Sequence, residues 1–206
     1  KIGESEEMGQ ERMSFEKVEQ VLGNTAPRIV DFIDYKNKGG IKYRYASMGG
    51  GGSQTFQEIY ASDISVEKVK KFLNTVFAEQ LGRFYKASNF EQCNLLEYYM
   101  FDPGRAERIK PRIEEIFEKE ANDNYLEMFG HKFMNPYHFT KNILADLIPK
   151  TRRSTFFSYV HGDLNGANIM VDAQENIWLI DFFHTHKGHI LKDLVKLEND
   201  LLYIYT

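Results

Sequence analysis

The chain has 206 residues, 42% of them hydrophobic and 14% aromatic, which is enough to bury one or two sizeable cores. A charged fraction of 27% and a net charge of −4 leave no basic excess of the kind that marks a nucleic-acid partner. No apolar run approaches the roughly 20 residues of a membrane helix, no signal peptide is recognisable, and the single cysteine, Cys93, excludes an internal disulfide framework. These features fit a protein of the reducing cytoplasm with no membrane and no nucleic-acid partner. Opening at Lys1 and stopping at Thr206 in an apolar run, the chain is expected to be a fragment of a longer protein with other domains.

Met8, Glu11, Phe15, Val18 and Leu22 recur at helical spacing and predict a helix from about Glu4 to Leu22. Glu11 is the exception, an acid on the stripe that should face inward. After Gly23 to Pro27, Ile29–Ile33 and Ile41–Tyr45 are rich in β-branched and aromatic residues and predict two strands, with Lys36 to Gly40 as the turn. Gly49 to Gly52 follows. A phosphate cradle would need a lysine followed by serine or threonine, and Ser53-Gln54-Thr55 supplies none, so the run reads as a flexible connection.

Beyond it Ile64, Val69, Phe72, Leu73, Val76, Phe77 and Leu81 form an amphipathic stripe, with Asp63 or Ser65 as its N-cap. Phe90–Met100, Ile109–Phe129 and Pro136–Ile148 also read as helices, broken by Asp102-Pro103-Gly104 and by Gly130 to Asn135. On the first of these Cys93 is expected to be a buried, inert thiol. Lys150-Thr151-Arg152-Arg153 reads as a solvated loop.

The stretch Tyr159 to Asp172, YVHGDLNGANIMVD, places polar residues between two segments that want burial. Ile169–Val171 and Ile177–Ile180 read as a hairpin around Asp172 to Asn176, and Asp181 follows its second strand. Pairing brings Asn168 and Asp181 to the same end of that hairpin, near Asp163. Two carboxylates and a carboxamide at one strand edge suit a hard divalent cation such as Mg²⁺. Turn-capping by the side chains of Asp163 and Asn168 is the simpler reading, but it leaves Asp181 unexplained.

His161-x-Asp163-x-x-x-x-Asn168, a hairpin, then Ile180-Asp181-Phe182 resembles the catalytic and metal-binding loops of the protein-kinase-like superfamily. His-Gly-Asp-Leu and Ile-Asp-Phe are most similar to the aminoglycoside phosphotransferase branch. With Leu-Lys-Asp-Leu-Val-Lys-Leu-Glu downstream, the run also resembles bacterial kinase-like domains of the ternary-complex-associated type.

The resemblance implies an α+β, two-lobed protein-kinase-like fold. Residues 1–48 would be an incomplete small strand-rich N-lobe, and 49–206 a mostly helical C-lobe with a short hairpin. It implies an ATP- and Mg²⁺-dependent phosphotransferase acting on a hydroxyl of an unidentified acceptor. Asp163 would accept the hydroxyl proton, Asn168 and Asp181 would hold the metal, and His161 and Asp193 would support the loop. Lys1-Ile2-Gly3 resembles the end of the strand whose lysine contacts the nucleotide, with Glu11 as its helix partner. The plainer reading is an exposed amine and a tolerated acid, with Glu7 also near.

The sequence departs from the superfamily pattern in several places. The strands and glycine-rich lid that usually cover ATP would lie before Lys1, Phe183 follows the Asp-Phe pair, and Asn165 stands where serine/threonine protein kinases place a lysine. Only Phe182 to Lys192 separates Asp181 from Asp193. An alternative is therefore a kinase-like nucleotide-binding or regulatory module with little or no catalysis. His184, His186 and His189 raise a zinc site, but with no nearby cysteine and with Gly188 between them a loop accounts for them better.

Overall fold

The computed structural model describes residues 1–22, 28–44 and 52–205. Gly23 to Pro27, most of the glycine run, and the expected boundary between residues 48 and 49 lie outside the described residues. The architecture is α+β, with small antiparallel sheets among helices. It forms two compact units, one made of Lys1–Asn89 with Phe156–Thr206 and the other of Phe90–Thr155.

In the first unit, strand β1 (Ile2–Glu4) leads into helix α1 (Ser5–Leu22). Met8, Glu11, Phe15, Val18 and Leu22 are all buried, as their spacing predicts, and Glu6 and Glu7 sit in the first turn, where the helix dipole favours acids. Strands β2 (Arg28–Tyr35) and β3 (Lys38–Arg44) form an antiparallel hairpin, and β1 adds to the outer side of β3, giving the order β1-β3-β2. The turn is shorter than the sequence predicts. Only Lys36 and Asn37 make it, while Gly39 and Gly40 continue as strand. A Cβ on Gly39 would lie 2.8 Å from Met8 Cβ, so this glycine lets the sheet sit directly on α1.

Strand β4 (Gln54–Thr55) runs into helix α2 (Phe56–Ala61) through a capping box: Thr55 Oγ1 accepts the Glu58 amide and Glu58 Oε2 accepts the Thr55 amide. Helix α3 (Val66–Asn74) is capped by Ser65, continues through a wider π-helical turn over Thr75–Gln80, and is followed by α4 (Gly82–Lys86). Phe72, Val76, Leu81 and Phe84 from this run join Phe15 and Leu22 of α1 in one core.

The second unit departs most from the sequence expectation. Phe90–Met100 is not one helix: β5 (Asn89–Asn94) is extended, and only α5 (Leu95–Tyr98), capped by Asn94, is helical. Cys93 is therefore on a strand and half-buried. Helix α6 (Ala106–Phe117) stops at Glu118, whose φ is 51°, and the last part of the expected helix is instead β6 (Tyr125–Met128), which pairs with β7 (His131–Met134). The expected break at Gly130 to Asn135 is thus mostly strand. Ile113, Ala121 and Leu126 form this unit's own core.

Asn135, fully buried, ties the connection together by donating to Ala121 O and Asp123 O and accepting the Tyr137 amide. α7 (Pro136–His138), a π-helical turn over Phe139–Ile143 and α8 (Leu144–Leu147) follow as a continuous helical run. Arg152 and Arg153 are not loop but the exposed start of strand β8 (Arg152–Val160).

Back in the first unit, β9 (Ile169–Val171) pairs with β10 (Ile177–Leu179), and β4 pairs on the other edge of β9. The hairpin turn is organised by Asp172, whose carboxylate accepts the Gln174 and Asn176 amides, Asn176 Nδ2 and Trp178 Nε1. Strand β11 (His186–His189) lies on the end of β8, and Gly188 is part of that strand rather than of a loop. Helix α9 (Lys192–Asn199) and a π-helical turn over Asp200–Ile204 complete the chain. Among the described residues no helix is long and apolar enough to cross a membrane.

Candidate active site

The end of β8 delivers Val160 to the core and then turns sharply. His161 is buried, with its ring 5.0 Å from the Phe182 ring, and its Nε2 faces the Ile180 carbonyl at 2.8 Å. A carbonyl can only accept, so Nε2 carries the proton. Among the described residues Nδ1 has no hydrogen-bond partner. Burial pushes the imidazole below its ordinary value, against the pull of Asp193, the Ile180 carbonyl and the neighbouring aspartates. His161 is therefore a neutral structural strut between the two loops.

Asp193, on the first turn of α9, accepts the backbone amides of both His161 and Gly162. Gly162 takes φ of 89°, and a Cβ there would lie 2.1 Å from the His184 carbonyl oxygen, so no other residue fits this turn unstrained.

This turn presents Asp163, whose side chain is 39% exposed. Asn165 caps the short 3₁₀ turn that follows by accepting the Ala167 and Asn168 amides, and its Nδ2 lies 3.3 Å from Asp163 Oδ2. Asn168 donates its amide nitrogen to the Asp163 carbonyl at 2.9 Å, which orients the amide and leaves its oxygen as the atom able to take a cation.

The hairpin registers the second loop against the first: Ile169 pairs with Leu179, and the Ile180 amide donates to the Asn168 carbonyl at 3.0 Å. Asp181 follows in a left-handed conformation, φ 64° and ψ 65°, which aspartate tolerates better than most non-glycine residues. Its Oδ1 lies 2.9 Å from Lys1 Nζ.

The same ammonium lies 2.7 Å from Oε2 of Glu11, which is fully buried. Burial alone would lower the lysine's pKa, but hydrogen bonds to Glu11 and Asp181 outweigh it and raise the group above its ordinary value. Tyr43 Oη donates to the other oxygen of Glu11. Its phenol is pushed well up, by burial and then by that carboxylate.

The seven residues that the resemblance assigned lie as follows: Lys1 contacts both Glu11 and Asp181, Asp163 and Asn168 share a turn, and His161 and Asp193 support that turn. Two neighbours escaped sequence reading. Tyr43 shares the inward face of β3 with buried Ile41, two residues away, so strand alternation could have flagged it. Lys196 lies three residues beyond Asp193 on α9, and helical spacing carries the same signal.

Two carboxylates and an amide oxygen are a donor set that suits a hard divalent cation. The three histidines make no comparable set: His186 and His189 are on β11, and His189 is buried beside the Phe157 ring. Among the described residues no group of three or more His, Cys, Asp or Glu side chains is arranged to hold a metal ion.

The family model described as ternary complex associated domain 9 matches the chain in two overlapping segments, residues 1–116 and 102–206. The chain belongs to this family. Among curated proteins no sequence relative matches. Similar solved structures include an aminoglycoside-3'-phosphotransferase of type VIII, at TM-score 0.49 and 15% identity, covering 97% of this chain and 67% of that one. A glucosamine kinase is similar at TM-score 0.46 and 12% identity, covering 92% of this chain and 47% of that one. The ternary complex associated domain 9 chain therefore spans about two thirds of the first and about half of the second.

Proposed function

We propose that this ternary complex associated domain 9 chain is the core of an ATP- and Mg²⁺-dependent phosphotransferase of kinase-like type, acting in the cytoplasm on a hydroxyl of an unidentified acceptor. The observation that supports it is the meeting of two carboxylates on one ammonium, Lys1 Nζ: Glu11 from the adjoining helix at 2.7 Å and Asp181 from the far end of the chain at 2.9 Å. A buried carboxylate is costly without a partner, and holding a lysine at a strand end beside a second carboxylate is a use that repays it.

In this reading residues 1–48 are the nucleotide-facing lobe and the rest carries the two loops. Lys1 binds the nucleotide phosphates, while Glu11 and Tyr43 fix its position. Asn168 and Asp181 would hold Mg²⁺, which supplies charge neutralisation for those phosphates. Asp163 orients the acceptor hydroxyl and takes its proton as the oxygen bonds to the transferred phosphorus and the nucleoside diphosphate leaves. Because phosphoryl transfer needs little covalent work from the protein, positioning by the Asn165–Asn168 turn is the main contribution of the loop.

The test is titration of the full-length protein with ATP, with and without Mg²⁺, alongside measurement of ADP release. Mg²⁺-dependent binding with ADP release is expected, and absence of nucleotide binding overturns the reading. One observation favours a second reading, a nucleotide-binding or regulatory module: Lys1 already occupies an oxygen of Asp181, the metal-side carboxylate. Binding without ADP release, in the presence of any acceptor tried, would select it.

A further inference from the structure

Helix α9 brings a cation to the Asp163 carboxylate from a direction that the loop motifs do not contain. Lys196 Nζ lies 3.8 Å from Asp163 Oδ1 and 3.5 Å from Asp200 Oδ1. Asp200 is 4% exposed and one helical turn beyond the lysine. Its other oxygen lies 3.5 Å from Tyr205 Oη, and that hydroxyl accepts the Gly166 amide at 3.0 Å. The carboxylate that anchors Lys196 is thus itself fixed against the loop that carries Asp163.

The plain account is an ordinary surface pair four residues apart on a helix, which contributes little. That account covers Asp200 but not the reach across to a different element. A carboxylate that must receive a phosphoryl group beside it faces like-charge repulsion, and a fixed cation within about 4 Å is the direct remedy. We propose that Lys196, held by Asp200, is the positioning residue that offsets the charge of Asp163 and of the phosphoryl group brought to it. The inference rests on the phosphotransferase reading, and assigns to it a residue outside both loops.

The experiment measures ADP release from Mg²⁺-ATP by the full-length protein, with water as the acceptor, for wild type, Lys196→Met, Lys196→Arg and Asp163→Asn. Lys196→Met is expected to lower kcat by roughly a hundredfold, the scale seen when one preorganised charge-stabilising group is removed. KM for ATP and the thermal midpoint should stay near wild type, and Lys196→Arg should restore most of kcat. Wild-type kcat in Lys196→Met, with Asp163→Asn impaired, overturns this inference and leaves the phosphotransferase reading standing. Equal losses in the Met and Arg variants overturn it as well, since charge would then not be what matters. Equal rates in wild type and Asp163→Asn overturn both.

Discussion

Asp193 Oδ1 accepts the Gly162 amide at 2.8 Å, and the partner oxygen of the same carboxylate accepts the His161 amide at the same distance. Tyr85 Oη adds a third donor at 3.2 Å. Asp193 is fully buried, so removing it orphans two backbone donors, the His161 amide in a buried position and the Gly162 amide in a partly buried one. Each such donor costs about 1–3 kcal/mol, and Asp193→Ala should lose roughly 3 kcal/mol or more. Urea unfolding with an unchanged slope measures this, and an unmoved midpoint would show that the turn holds itself.

Gly162 and Gly130 separate two costs of a left-handed backbone. Both have positive φ, 89° and 76°, but a Cβ at Gly162 meets the His184 carbonyl whereas at Gly130 it meets nothing within 4 Å. Gly130→Ala should therefore lose only the conformational cost, about 1 kcal/mol. Gly162→Ala should lose several times that, because backbone must also move. Similar midpoints for the two variants would contradict the steric account.

Acid should destabilise the fold in two steps. His161 and His189 are held below their ordinary value by burial, so the unfolded chain takes up their protons first. The stability they carry is complete above about 6.5 and is lost as pH falls below it. Glu175 is held at about 2 by hydrogen bonds and ion pairs with Lys68 and Lys71, below its ordinary 4.5. Its contribution is complete above 4.5 and is lost as pH falls through about 2. Asp172 and Glu58 are also held below the ordinary carboxylate value by their hydrogen bonds. Urea midpoints should therefore show the upper step clearly, and replacing Lys68 and Lys71 with methionine should only shrink the lower one, because an exposed ion pair contributes little.

Asp163→Asn and Asp181→Asn should fail differently. General-base assistance is typically worth roughly a hundred- to ten-thousandfold, so Asp163→Asn should cut turnover by about that factor with nucleotide binding preserved. On the phosphotransferase reading, Asp181→Asn should weaken Mg²⁺-dependent nucleotide binding and turnover together, because it removes the carboxylate proposed to hold Mg²⁺. ATP titration with and without Mg²⁺ separates the two.

Tyr43→Phe removes the hydroxyl that donates to buried Glu11 and, among the described residues, leaves Lys1 as the remaining partner of that carboxylate. A loss of about 1–2 kcal/mol in unfolding free energy is expected. A neutral or stabilising effect would mean that the hydroxyl is accommodated rather than needed.

The site was more legible than the second unit, for a physical reason. Asp163, Asn168, Asp181 and Asp193 are polar residues at fixed offsets from apolar runs, and local pairing alone sets Asn168 and Asp181 at the same end of the β9–β10 hairpin. By contrast, Phe90–Asn94 carries no strand alternation, and its extended form depends on partners distant in the sequence. The β6–β7 hairpin turns through Phe129 and Gly130, both with positive φ, while apolar residues at Ile109, Ile113 and Phe117 mimic a helix that continues. There the backbone geometry of two residues overrode periodicity. Only Leu126 among the β6 side chains is fully buried, so the strand pattern was faint.

Lys1 meets Glu11 because β1 pairs with β3 in one register: Lys1 N donates to Ile41 O, Ile41 N donates back to Lys1 O, and Ile2 faces Gly40. Side chains alternate along a strand, so a slip of a single residue would turn the ammonium to the opposite face and offer Ile2 to a buried carboxylate. Length changes are therefore not equivalent along this chain. An added or deleted residue within Ile2–Glu4 disconnects the lysine from its acids without removing any of them, whereas one at Lys36-Asn37 can be absorbed as a longer turn. Natural or engineered variants of this domain that keep Lys1, Glu11 and Asp181 but differ in length inside β1 should carry the motif and lack its contact.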